Sequence, residues 1–311
     1  HGAMFGVIDF YRAARAEGIK PILGCEVYVA PNSRFDKETT GGDDRYYHLV
    51  LLAENNQGYA NLMKIVSRGY VEGFYYKPRV DMEVLQEFHE GIIALSACLA
   101  GEVPRYIQKG LYEEAKKSAL KYETVFGKGN YFLELQDHGI PETVNQALLR
   151  MSQELDIPLV ATNDCHYTYA QDVKPHDILL CIQTGKKLAD EDRMRYEGGQ
   201  YYVKSPEEME ALFPYAKEAL ENTCKIAERC NVEIEFGVTK LPKYDVPEGY
   251  TSWEYLNKLC FDGLAERYPD DDGTMRDRLT YELGVIKNMG YVDYFLIVWD
   301  FIHYAREHDI A

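Results

Sequence analysis

Positive charge is the scarcest resource in this sequence: 34 Lys and Arg stand against 51 Asp and Glu, a net charge of −17. The deficit is spread along the chain, −11 over residues 1–238 and −6 over residues 239–311. Neither portion offers the basic surface that drives nucleic-acid affinity by counterion release, so any contact with DNA must be local, metal-assisted or supplied by other parts of a larger protein. Long apolar runs are missing too. None reaches the roughly 18 residues of a membrane span, which leaves no candidate transmembrane helix and indicates a soluble globular chain. Cysteine is present seven times but never as C-x-x-C, and no signal-peptide pattern opens the chain. That excludes a secreted disulfide framework and makes a reducing cytoplasm with free thiols the expected setting.

Apolar residues make up 46% of the 311, ample for a packed core. The length fits one large α/β barrel, or a barrel-sized domain with part of a second. The chain opens on His1-Gly2 without an initiator Met and closes on Ala311 just after a helical pattern, so it reads as a fragment.

Strand-like runs occur at Pro21–Ala30, His48–Ala53, Ile92–Ser96, Tyr131–Gln136 and Pro158–Thr162. Between them, Met4–Glu17, Asn56–Gly69, Glu113–Phe126 and Glu142–Leu155 carry one apolar stripe each and predict helices. Such alternation predicts an α/β fold with a parallel sheet, open or closed into a barrel, whose site lies at the carboxyl ends of the strands. Beyond residue 170 helices dominate: Lys204–Phe213, with Ser205 as N-cap and Pro206 at N1, and Pro214–Asn231. Gly237–Gly249, with Pro242 and Pro247, is the linker candidate, and Thr251–Tyr268, Met275–Met289 and Val292–His308 follow as three helices. The predicted boundary is therefore near residue 240, with domains at 1–240 and 241–311. Asp270-Asp271-Asp272-Gly273 lacks the ligand spacing and terminal Glu of an EF-hand and predicts a solvated turn.

The chemistry-bearing feature is Asp164-Cys165-His166, directly after the apolar run Ile157–Asn163. Two residues apart at a strand end, a carboxylate and an imidazole point to one face, and mixed oxygen and nitrogen donors hold divalent metals. Alone, such a pair fits a helix cap equally well. Candidate partners are Glu26, a carboxylate inside the apolar run Ile22–Ala30 that would be costly to bury unpaired; His48, inside Tyr46–Ala53; and Cys98, after Ile92–Ser96. Taken singly, a strand His or a Cys is more commonly a satisfied core residue. Asp137-His138 is a second strand-end pair, but adjacent strand residues face opposite ways, so it suits a turn or a substrate-facing group better than a shared metal. His89, His176, His303 and His308 fall on predicted helices or their flanks and receive no ligand role.

His1-Gly2, Gly24-Cys-Glu-Val-Tyr28, Tyr47-His-Leu-Val-Leu-Leu-Ala53, Leu95-Ser-Ala-Cys-Leu-Ala-Gly-Glu102 and Ala161-Thr-Asn-Asp-Cys-His-Tyr167 resemble, in order, the motifs of the polymerase-and-histidinol-phosphatase (PHP) domain. More closely they resemble the PHP domain at the amino end of the bacterial DNA polymerase III alpha subunits, the family C replicative polymerases. Ala53–Tyr59, Phe132–Gly139, His176–Lys186, Asn222–Val232 and Gly290–Phe301 agree as well.

The resemblance implies a distorted (β/α)7 PHP barrel, here without its first strand, followed by an all-helical start of the polymerase palm. It implies a cluster of up to three divalent metals, Zn or Mn rather than Mg because a thiolate is among the ligands. His1, Glu26, His48, Cys98, Asp164 and His166 match ligand positions, with Asp164 and His166 assigned to catalysis; the family's H-x-H pair and a following Asp would precede His1. The implied chemistry is metal-assisted phosphoester hydrolysis as a 3′–5′ exonuclease. The implied polymerase carboxylates, with their Mg, would lie beyond Ala311, and DNA, a sliding clamp and other replisome subunits are the implied partners. A stand-alone histidinol-phosphatase-like phosphoesterase would share the ligands but end near the barrel; a non-catalytic structural PHP module is the other alternative.

Overall fold

The computed structural model describes residues 1–38, 45–238 and 240–311. Two compact units divide the chain, His1–Ile234 and Glu235–Ala311.

The first unit is built on a six-stranded sheet of order β3-β1-β2-β4-β5-β6. Its strands are β1 (Gly24–Val29), β2 (Tyr47–Ala53), β3 (Arg79–Val80), β4 (Ile92–Leu95), β5 (Tyr131–Leu135) and β6 (Leu159–Ala161). The expectation of a wholly parallel sheet fails at one strand. β2 runs antiparallel to both its neighbours, β1 and β4, while the β1–β3, β4–β5 and β5–β6 pairs are parallel. The reason lies in the connection. Parallel neighbours need a crossover, normally a helix, and the described residues between Val29 and Tyr47 contain none, so the chain turns back on itself. The two-residue β3 was not foreseen; it is too short to give a period.

Helices cover one face of the sheet. They include α2 (Asn56–Val71), α5 (Tyr112–Phe126) and α6 (Glu142–Leu155), all anticipated from their apolar stripes, and α3 (Met82–Glu87) and α4 (Glu102–Gln108), which were not. Asn55 caps α2 by accepting from the Gly58 N–H at 2.9 Å, and Asp81 caps α3 by accepting from the Val84 N–H at 3.2 Å. Strand alternation then sorts the side chains into two cores. Val27, Val29, Leu49, Leu51, Ala94, Leu133 and Leu135 pack against the helices. Ile93, Leu95, Phe132 and Val160 point the other way and meet Ile226 of α9 (Lys217–Arg229) and Cys230, the residue that ends it. α8 (Pro206–Leu212) starts as expected: Ser205 and Glu208 form a reciprocal capping box with Pro206 at N1.

The second unit contains α10 (Ser252–Arg267), α11 (Thr274–Asn288) and α12 (Val292–Glu307) around a small core of Leu256, Leu283 and Leu296. The acidic run at its middle serves the backbone. Asp271 accepts from the N–H groups of Met275 and Arg276, in the first turn of α11, at 2.9 and 3.0 Å.

Candidate metal centre

The sheet face that carries the smaller core also carries the site. In the β1–β2 register Tyr28 pairs with His48 and Glu26 with Val50, so Glu26 and His48 are diagonal neighbours on one face. The geometry brings His48 Nδ1 to 2.9 Å from Glu26 Oε1. Because β2 alone is reversed, its amino end, with His48, lies beside the carboxyl ends of its parallel neighbours. Cys98 follows β4 in a tight turn: Ala97 holds φ +62°, and the Gly101 N–H donates to the Cys98 carbonyl at 2.8 Å. Gly101 is required there, since a Cβ would lie 2.1 Å from the Ser96 carbonyl oxygen. The His48 N–H donates to the Ala100 carbonyl at 3.0 Å, tying that turn to β2, and Cys98 Sγ stands 3.7 Å from His48 Nδ1.

Glu26, His48 and Cys98 therefore offer one carboxylate oxygen, one imidazole nitrogen and one sulfur within 4.8 Å of one another, the single such group among the described residues. That donor set suits a borderline divalent ion. Burial alone would raise the Glu26 pKa, but the hydrogen bond and charge of His48 oppose it, and the carboxyl lies below its ordinary value. The Cys98 thiol is pushed up to about 12, by burial first and by the charge of Asp164 second.

Asp164 and His166 leave β6 on the adjoining side. Asp164 takes φ +46°, a backbone position few non-glycine residues occupy, which turns the chain sharply between the strand and His166. His166 Nδ1 lies 2.6 Å from the Asp164 carbonyl oxygen, an acceptor, so in the neutral tautomer Nδ1 carries the proton and the lone pair is on Nε2. Its main chain is pinned by a 2.8 Å bond from its N–H to the Tyr201 carbonyl, and its ring packs 4.3 Å from Tyr196. Burial raises the Asp164 pKa, with the charge of His166 opposing. The His1 ring is 5.8 Å from that of His166. Asp164, His166 and His1 thus gather beside the Glu26–His48–Cys98 group but do not share its donor spacing.

One residue of this region was not foreseen, and another, already singled out as half of a strand-end pair, turns inward. Glu134 on β5 is 4% exposed beneath the site, accepting from the Ala97 N–H and, at 2.8 Å, from the Thr162 hydroxyl. Burial lifts its pKa to about 7. The reasoning that singled out Glu26, a carboxylate inside an apolar strand, applies equally to Phe132-Leu-Glu-Leu135. His138 is the other: the opposite-face expectation holds, with Asp137 exposed and His138 buried, but the imidazole turns inward. It lies 3.1 Å from Gln136 Oε1 through Nε2, with its ring centre 4.2 Å from that of Tyr201 at a tilt of 37°. His176, on α7 (Val173–Thr184), has its ring 5.7 Å from that of His166, whereas His89 is exposed and bonds the Gln86 carbonyl.

A mixed α/β sheet with helices packed on it and candidate ligands clustered at its strand ends fits a metal-binding α/β domain, and residues 1–138 match the model described as "PHP domain". Residues 254–311 match "Bacterial DNA polymerase III alpha NTPase domain". The chain is 48% identical, over its whole length, to the DNA polymerase III subunit alpha of Treponema pallidum (strain Nichols), 47% to that of Borreliella burgdorferi and 39% to that of Thermus aquaticus. It covers 27%, 27% and 31% of those proteins respectively. The chain thus carries a PHP domain and is similar, along its whole length, to bacterial DNA polymerase III alpha subunits, of which it spans under a third. No helix among the described residues is long and apolar enough to cross a membrane.

Proposed function

We propose that residues 1–234 hold a metal-dependent phosphoesterase site that removes nucleotides from the 3′ end of DNA, within a replicative DNA polymerase alpha subunit. The observation that carries this reading is the convergence of Glu26, His48 and Cys98. Those three would hold a Zn or Mn ion, with Asp164, His166 through its free Nε2, and His1 as donors toward further ions of a cluster of up to three. Divalent ions there supply electrophilic charge to a phosphodiester and make water easier to deprotonate. The chain's own residues set the conditions. Glu26 and Asp164 concentrate negative charge that attracts cations, Cys98 gives up a proton on ligation, and the Asp164 carbonyl fixes the His166 tautomer. The test is release of mononucleotides from a 5′-labelled single strand with Mn or Zn, which Asp164→Asn should abolish with the fold intact by circular dichroism. A folded chain with essentially no bound metal by mass spectrometry would instead favour a structural PHP module.

DNA synthesis itself, with Mg, a sliding clamp, other replisome subunits and a cytoplasmic setting, is proposed for the longer protein. Residues 241–311 are proposed as the opening helices of its palm, supported by the match over residues 254–311. On this reading residues 1–311 do not polymerise. Incorporation of a labelled nucleotide onto a primed template by the purified chain would overturn that assignment.

A further inference from the structure

We infer that the aromatic and cationic side chains bordering His48 form a platform that binds the end of a single-stranded polynucleotide and feeds it to the metal centre; this rests on the phosphoesterase reading. Aromatic rings lead outward from the site. Buried Tyr28 supports them from below, 5.2 Å from the His48 ring and 4.8 Å from Tyr46, and half-buried Tyr46 is parallel to His48 within 2°. Further out, Tyr76 is 64% exposed at the apex of a tight loop, where the Tyr75 N–H donates to the Lys77 carbonyl at 3.0 Å. Its φ is +60°, a left-handed conformation that is costly for a bulky residue and that holds the ring out into solvent.

Two cations complete the surface. The Arg45 guanidinium sits 4.6 Å from the centre of the Tyr76 ring, and Lys77 Nζ sits 5.5 Å from the centre of the Tyr28 ring. Neither makes an ion pair among the described residues. In a chain with 17 more acidic than basic side chains, two cations resting on aromatic faces beside the candidate site are placed to meet an anion from outside. Stacking surfaces interleaved with cations are what a single strand needs: every base presents a π-face, and each phosphate takes a Lys or Arg. The platform also answers the charge shortage, because the contact is local and does not depend on a basic domain.

The test is the fluorescence anisotropy of a labelled oligodeoxythymidine of roughly a dozen nucleotides with the 311-residue chain, in EDTA so that no cleavage occurs. Binding is expected to weaken about ten-fold in Tyr76→Ala and to be retained in Tyr76→Phe. Lys77→Gln should weaken binding and reduce the slope of log affinity against log salt by about 0.7. Absence of binding by the parent chain overturns the inference, as does parent-like binding by Tyr76→Ala and Lys77→Gln with unchanged circular dichroism. If Tyr76→Ala does not fold, Lys77→Gln and Arg45→Gln, both at partly exposed positions, decide the matter. Strand binding without hydrolysis in Mn or Zn would sink the nuclease reading alone; hydrolysis with binding insensitive to all three variants would sink the platform alone.

Discussion

At the scale of single residues, the centre is governed by what burial does to ionisable groups. Cys98 is protonated at neutral pH without metal, since burial pushes it up to about 12, so ligation must release its proton. Zinc affinity should therefore rise between pH 6 and pH 8, with about one proton released from this thiol as read by an indicator dye in weak buffer. Cys98→Ala should remove that proton and lower the affinity. Glu134 behaves oppositely in sign to a salt-bridged acid. Its folded pKa, about 7, lies above the ordinary 4.5, so the folded chain keeps a proton that the unfolded chain loses. In metal-free protein its contribution should thus weaken folding progressively from about pH 4.5 to about pH 7 and then level off. Urea unfolding across that range should show a flatter profile in Glu134→Gln.

At the scale of elements, two contacts decide where strands and helices sit. α2 approaches the loop before β4 so closely that a Cβ on Gly58 would lie 1.8 Å from the Gly91 carbonyl oxygen. Gly58→Ala should destabilise by about 1–3 kcal/mol or more, measured by denaturant unfolding, because two backbones must separate. Arg34 is the other. It is 5% exposed and bonds Asp81 Oδ1 at 3.0 Å, Glu72 Oε2 at 2.6 Å and Glu83 Oε2 at 2.8 Å, locking the segment after β1 onto α2 and α3. Removing it would leave buried Asp81, the cap of α3, without its cation. Arg34→Ala is expected to cost about 3–5 kcal/mol in the same assay.

At the scale of the whole molecule, the chain is two bodies of different character. The unit of residues 1–234 holds the sheet, both of its cores and every candidate ligand, whereas residues 235–311 hold three helices around a few leucines. Residues 235–250 contain no helix or strand among the described positions. Limited proteolysis is expected to cut there first and to release a fragment near residues 1–234 that binds as much metal per chain as the intact protein. A fragment that loses its metal on cleavage would show that the centre needs the second unit.

Local pattern was enough for much of this. The apolar stripes of α2, α5 and α6, the capping residues Ser205 and Pro206 and the strand runs around Glu26, His48 and Cys98 are determined by neighbours a few residues away, which is the range over which helix and strand periods act. The sequence by itself thus determined most of the longer elements, the α/β class and three donors that do converge. What it did not contain was the direction of β2, the inward turn of His138 and the lone pairing of Glu134 with Ala97 and Thr162. Each of these depends on segments separated by dozens of residues meeting across the sheet. Only the tertiary structure decided them; reversing one strand, for instance, is what sets His48, near the start of β2, against the last residues of the strands beside it.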